Sequence, residues 1–216
     1  MIYDTIIPFG TSCIVADVLT ELRLRKCSYP FDWIGGGDMK TRAQLLINNF
    51  NDWFNQDDFI EIPFINDTQR IYKDYLNVKT NMTFRHHFTK NKSDKDEFLK
   101  EYIKLKEKYE RRQKRLFNHL MTSENVLLLT IETPTRPKIR YSSELEYIHS
   151  ILSSKFCNVQ IDLLYFRLSD NHNLKIDAIN EHITVVSTNY SNSQKESNDI
   201  KHILFDVFKQ KEIMLK

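Results

Sequence analysis

Glycine is scarce in this chain. Its 216 residues hold only Gly10, Gly35, Gly36 and Gly37, all within the first 37 positions. Glycine serves left-handed turns and close backbone approach, so unusual backbone geometry is expected near the N-terminus. Cysteine is scarcer still. Cys13, Cys27 and Cys157 are odd in number and have no C-x-x-C spacing, which argues against a disulfide framework and a four-cysteine zinc site. At least one thiol is therefore free, as suits a reducing compartment. No apolar run approaches the roughly 20 residues of a membrane-spanning helix. The opening MIYDTIIPFG has no basic segment leading into an apolar stretch and a cleavage site, so a secretory signal is not expected and a cytoplasmic location is. A dominant charge is also missing: the net charge is +2, too balanced to argue for a nucleic-acid partner.

What is present reads as a soluble α/β protein. Residues 2–9 form a β-rich run ending at Gly10, after which Ser12 can cap a helix with Val15, Val18, Leu19 and Leu22 on one face. A turn-rich connection, SYPFDWIGGGDMK, leads to a helix over 38–50. Residues 51–92 are aromatic-rich and irregular, and a long helix over about 94–121 carries the stripe Phe98, Tyr102, Leu105, Tyr109, Leu116, Phe117 and Leu120. The last third alternates: strand 125–131, a helix from Ser143 with Glu146 completing a capping box, strands 159–166 and 182–188, and a helix over 199–210. Continuous apolar strands between amphipathic helices predict a parallel sheet covered on both faces. The expectation is one three-layer α/β domain over 1–216, with 51–121 as an inserted capping element.

Cys13 falls where the first strand breaks into a helix. A thiol there is stabilised as thiolate by the helix dipole, and the N–H groups of the turn from Gly10 through Ser12 can hold an oxyanion. A free cysteine can equally be a small buried hydrophobe. A nucleophilic thiol needs a base. His86 and His87 sit in FRHHF in the irregular segment, and His202 follows Asp199 in a D-x-x-H at the start of the last helix, where the carboxylate can orient the imidazole. His119 and His149 lie on helices, and His172 and His182 near strand ends with no partner in view. No third ligand at metal spacing accompanies His86 and His87; no metal and no cofactor are expected. Asp32 in PFDW can orient a histidine or cap a turn, and the residues do not separate these. Arg111, Arg112, Lys114 and Arg115 form a charge run on the long helix, usually just a wet face. Arg112, however, falls on the apolar stripe, where it would meet a cleft, a buried carboxylate or an anionic substrate group.

The segment PFGTSCIVADVLTELRLRKCSYPFDWI resembles the opening motif of an uncharacterised, mostly bacterial family named for papain-like cysteine peptidases. That family reads roughly S-L-G-x-x-C-x-x-A-x-x-L, then L-R, then P-F-D-W; Gly10, Cys13, Ala16, Leu19, Arg25 and Pro30 to Trp33 occupy those places. Its F-x-H-D-F resembles Phe84 to Phe88, and its R-R-x-x-R-F resembles Arg111 to Leu116. The resemblance implies Cys13 as nucleophile and His86 as base. His87 stands where the family has aspartate, so another carboxylate, such as Asp32, would have to orient the base.

A papain-like α+β fold is the alternative architecture, although the order of elements is similar to SGNH-type hydrolases. Some capsule-biosynthesis acyltransferases are similar to that fold and use a cysteine; on that order Cys13 pairs with His202 and Asp199. The expected function is thus a thiol-dependent hydrolase or acyltransferase acting on a peptide or small molecule. Arg112, Arg115, His87 and Trp33 are the candidate substrate contacts. A non-catalytic module for a sugar-phosphate or nucleotide is the competing class. Neither the substrate nor the oligomeric state can be read from the residues.

Overall fold

The computed structural model describes residues 2–11, 13–63, 72–132, 139–169, 174–189 and 196–216. It is a mixed α/β structure, with five α-helices and three sheets among the described residues. The first strand is split. β1 (Ile2–Tyr3) pairs with β11 (Met214–Leu215), and β2 (Thr5–Pro8) enters the main sheet. Between them the Asp4 carboxylate accepts from the backbone N–H groups of Glu124 and Asn125.

The main sheet runs β2, β7 (Asn125–Glu132), β8 (Gln160–Ser169), β10 (Ile183–Asn189), β9 (Lys175–Ala178). The first four are parallel, as their apolar runs predict. β9 is antiparallel; its short, half-exposed sequence carries no parallel-strand signal. Side chains alternate across a strand, and here the alternation feeds two cores. Ile161, Leu163 and Tyr165 of β8 join the cluster with Phe9, Phe31 and the aromatic residues. Leu164, Phe166 and Leu168 join Val15, Leu19, Leu204 and Val207. Helices therefore cover both faces. α4 (Ser142–Lys155) packs on β8 and β10, and α2 (Met39–Ile47) on α4. On the other face α1 (Ile14–Glu21) packs on β7 and on α5 (Glu196–Gln210).

The helix caps show what side chains decide locally. The Asp38 carboxylate accepts from Thr41 N–H at 2.6 Å and opens α2. The helix stops at Ile47, short of 50, because Asn49 and Phe50 take positive φ. α4 begins at Ser142, and it is the Glu144 carboxylate, not Glu146, that reaches back to the N–H groups of Arg140 and Tyr141. The long helix α3 (Lys95–Thr122) matches its periodic stripe, and every stripe position but half-buried Phe117 is buried.

The segment read as irregular is a sheet. β3 (Gly35–Gly36), β6 (Met82–Phe88), β5 (Lys73–Asn77) and β4 (Phe59–Ile62) form four antiparallel strands in that order. α3 packs on β6. Trp53, Phe54, Phe59, Phe84 and Tyr109 meet edge to face or tilted, with ring centroids 4.9–6.4 Å apart, a favourable arrangement for aromatic pairs. This aromatic core is continuous with one face of the main sheet. No helix among the described residues is long and apolar enough to cross a membrane.

Candidate active site

Cys13 occupies the N-cap position of α1, with φ −62° and ψ −18°, and its carbonyl accepts from Asp17 N–H at 3.1 Å. Its side chain is half-buried and forms no hydrogen bond among the described residues. The turn that carries it is tightly seated. A Cβ on Gly10 would lie 3.1 Å from the Ile131 nitrogen and 2.9 Å from Val15 Cγ2, which accounts for glycine at the strand end. Ser12 lies outside the described residues. Thr11 accepts through its carbonyl from Gly36 N–H at 3.1 Å, which ties the turn to β3 and so to β6.

Three separated stretches of sequence, residues 25–33, the end of β6 and the middle of α3, come together in one cluster. Asp32 is fully buried, and its Oδ2 accepts from the Arg25 guanidinium and, at 3.0 Å, from Tyr29 N–H. Burial raises the Asp32 carboxyl above its usual range, and the hydrogen bond and charge of Arg25 oppose that rise. The partner of Asp32 is therefore an arginine rather than a histidine. Arg25 also donates to Ser28 and lies 5.8 Å over the ring of half-buried Trp33. On α3, Arg112 is buried where the stripe places it, its guanidinium 5.0 Å over the Tyr109 ring and its charge felt by Asp32. Arg115 is exposed.

The two histidines of FRHHF part company at a bulge. Tyr75 pairs with Phe84 and Lys73 with Phe88, so Arg85, His86 and His87 all stand opposite Asp74. An unbroken strand would put Phe84, His86 and Phe88 on one face. A bulge re-aims side chains, and here it turns His87 inward while Arg85 and His86 are exposed. His86 packs against Tyr72. His87 Nε2 shares a 3.0 Å hydrogen bond with Tyr109 Oη, and its ring also meets Phe84. Burial, then the charges of Lys108 and Arg112, push His87 down to about 3, so its imidazole is neutral at pH 7.

The remaining candidates lie elsewhere. His202 is exposed on α5, and its neighbour Lys201 is paired with Glu21 at the end of α1 opposite Cys13. The side chain of Asp199 and the whole of His172 lie outside the described residues. His119 Nδ1 shares a 2.5 Å hydrogen bond with Tyr29 Oη. His182 finds the partner its sequence context does not show: Nδ1 lies 2.8 Å from Asp162 Oδ1, and the ring stacks on His149. Among the described residues no group of three His, Cys, Asp or Glu side chains could hold a metal ion.

Sequence reasoning did not single out Arg25, Lys108 or Tyr109 as site residues. Arg25 carried a signal, its match to the L-R of the resemblance. Tyr109 reads only as one more apolar position on the stripe.

No curated protein and no solved structure matches the chain. A family model does, over residues 4–167, which include Cys13, PFDW, FRHHF and the arginines of α3. The chain thus belongs to the family described as "Putative papain-like cysteine peptidase".

Proposed function

We propose that the protein is a cysteine-nucleophile hydrolase acting on an acyl or peptide bond. The observation that carries this reading is the place of Cys13. It is half-buried at the N-cap of α1, directly after a parallel strand, in a turn bonded to the sheet that bears the paired histidines. The thiolate attacks the carbonyl carbon, and backbone N–H groups where the turn after Gly10 enters α1 hold the oxyanion. Collapse expels the leaving group, which takes a proton from a histidine. Water then hydrolyses the thioester. Cysteine peptidase chemistry is also what the family description names.

His86 is the proposed base, since it stands at the family's histidine position and its exposed ring can exchange protons with solvent. A second reading gives that task to His87, and its inward placement at the bulge favours it. Asp32 then acts as a positioning residue, holding Arg25 and the Trp33 loop rather than a histidine. Transfer of the acyl group to an alcohol would use the same thioester. The acyltransferase version on an SGNH-like order, with His202 and Asp199, has less support, because the Lys201–Glu21 pair places His202 by the far end of α1.

Relative alkylation rates test the reading. Iodoacetamide at pH 7, read by mass spectrometry, reports on Cys13 against Cys157, which is exposed and so accessible. Half-buried Cys13 is expected to react the faster, and His86→Ala or His87→Ala to slow it, naming the base. A Cys13 that reacts more slowly than Cys157 defeats the proposal.

A further inference from the structure

Lys108 and Arg112 lie one turn apart on α3 and so share a face of the helix. Arg112 is 5% exposed, yet its Nη1 has no hydrogen-bond partner. The carboxylate whose field reaches it, Asp32, gives its Oδ2 to Arg25 and to Tyr29 N–H, and no hydrogen bond joins its buried Oδ1 to Arg112. Lys108 is half-buried and forms no ion pair among the described residues. His87 stands beside both cations, with Nε2 engaged by Tyr109 and the Trp33 backbone close to its ring. Trp33, His87 and Lys108 are each half-buried, so solvent reaches part of all three.

Packing does not explain this arrangement. A buried charged donor left without an acceptor is costly, and so are two neighbouring cations withdrawn from water. Burial and the charges of Arg112 and Arg111 already push the Lys108 ammonium below its usual range. An apolar side chain at position 112 would continue the stripe between Tyr109 and Leu116 without either cost. None of these groups gives Arg112 Nη1 an acceptor. A guanidinium matches the oxygens of a phosphate or carboxylate, and an ammonium on a flexible stem can follow them.

We propose that Lys108, Arg112 and His87 form a receptor for an oxyanion, a phosphate ester or a carboxylate carried by the ligand. Arg112 Nη1 is the buried donor, Lys108 the cation on the open side, and Tyr109 fixes the His87 ring. Exposed Arg111 and Arg115 lie outside the receptor. The assignment does not depend on Cys13 being a nucleophile.

Thermal unfolding of the full chain, titrated with inorganic phosphate or acetate at constant ionic strength made up with chloride, tests it. A saturable rise in Tm over the chloride reference is expected with at least one of the two anions. Preference for phosphate names a phosphate ester, and preference for acetate a carboxylate. Lys108→Ala should weaken the apparent affinity about tenfold, the scale of one charged hydrogen bond. Arg111→Ala, the same charge change on an exposed neighbour, should leave it nearly unchanged. Lys108 is only half-buried, so the test does not require an Arg112 variant to fold. No saturable response to either anion overturns the proposal, and so does an equal loss in Lys108→Ala and Arg111→Ala, which would mean general screening. Cys13 alkylation is read separately, so failure here leaves the thiol reading standing.

Discussion

Gly36 N–H donates to the Thr11 carbonyl across 3.1 Å, and that bond joins the turn bearing Cys13 to the sheet bearing His86 and His87. Gly36 has φ +65°, and a Cβ there would stand 2.4 Å from the Asn81 carbonyl oxygen, a backbone atom that cannot swing aside. The Gly36 carbonyl in turn accepts from buried Arg42 at 2.6 Å.

Gly36→Ala should therefore strain the junction itself. A left-handed residue forced onto an alanine, with a backbone clash, costs about 2 kcal/mol or more. For a domain of this size that is a fall in Tm of roughly 4–8 °C. Differential scanning calorimetry reads it. A variant as stable as the parent would show that the turn at Asn81 shifts freely.

Asp32→Ala should be more damaging than Asp32→Asn. Alanine leaves the Tyr29 N–H unpaired and Arg25 without its counter-ion, and breaking a buried pair from one side costs about 3–5 kcal/mol. Asparagine keeps an oxygen for Tyr29 and loses the charge only. Urea midpoints of the two variants should fall in that order, and equal midpoints would mean that the bond from Tyr29 N–H contributes little.

His87 sets an acid sensitivity. Its folded-state value is about 3 against an ordinary 6.5, so its contribution to stability is present above pH 6.5 and lost as the pH falls towards 3. At 1.36 kcal/mol per unit the loss is about 5 kcal/mol at most. His87→Gln cannot titrate. The stability difference between parent and variant should change across this window, and a constant difference would place His87 in water.

Glu132 sets the opposite slope. Its side chain is buried at the carboxyl end of β7, where Tyr165 Oη donates to it at 2.5 Å. Burial raises it from 4.5 to about 7, against the Tyr165 bond. A raised carboxyl favours folding while protonated, so its contribution is full below pH 4.5 and is lost as the pH rises through 7. Relative to Glu132→Gln, the parent should lose about 3 kcal/mol at most between those values. Denaturant melts at pH 5 and pH 8 measure the difference.

The residues by themselves determined every element whose signal is local. The α3 stripe fixes which face is buried, and it places Arg112 inside before any contact is known. Apolar runs spell out the parallel strands, because strands covered on both faces need apolar side chains at every position. Gly10 before Cys13 marks a strand that turns into a helix. Tertiary structure decided what depends on distant partners. β3 to β6 are hidden from pattern reading because β3 is two glycines and β6 breaks its period at Arg85 to His87. Which histidine turns inward follows from that bulge, and the bulge exists only in the pairing with β5. The meeting of Arg25, Asp32, His87 and Arg112 likewise has no local signature. They come from three separate stretches, and only burial in one place brings them within reach of one another's charge where water no longer solvates them.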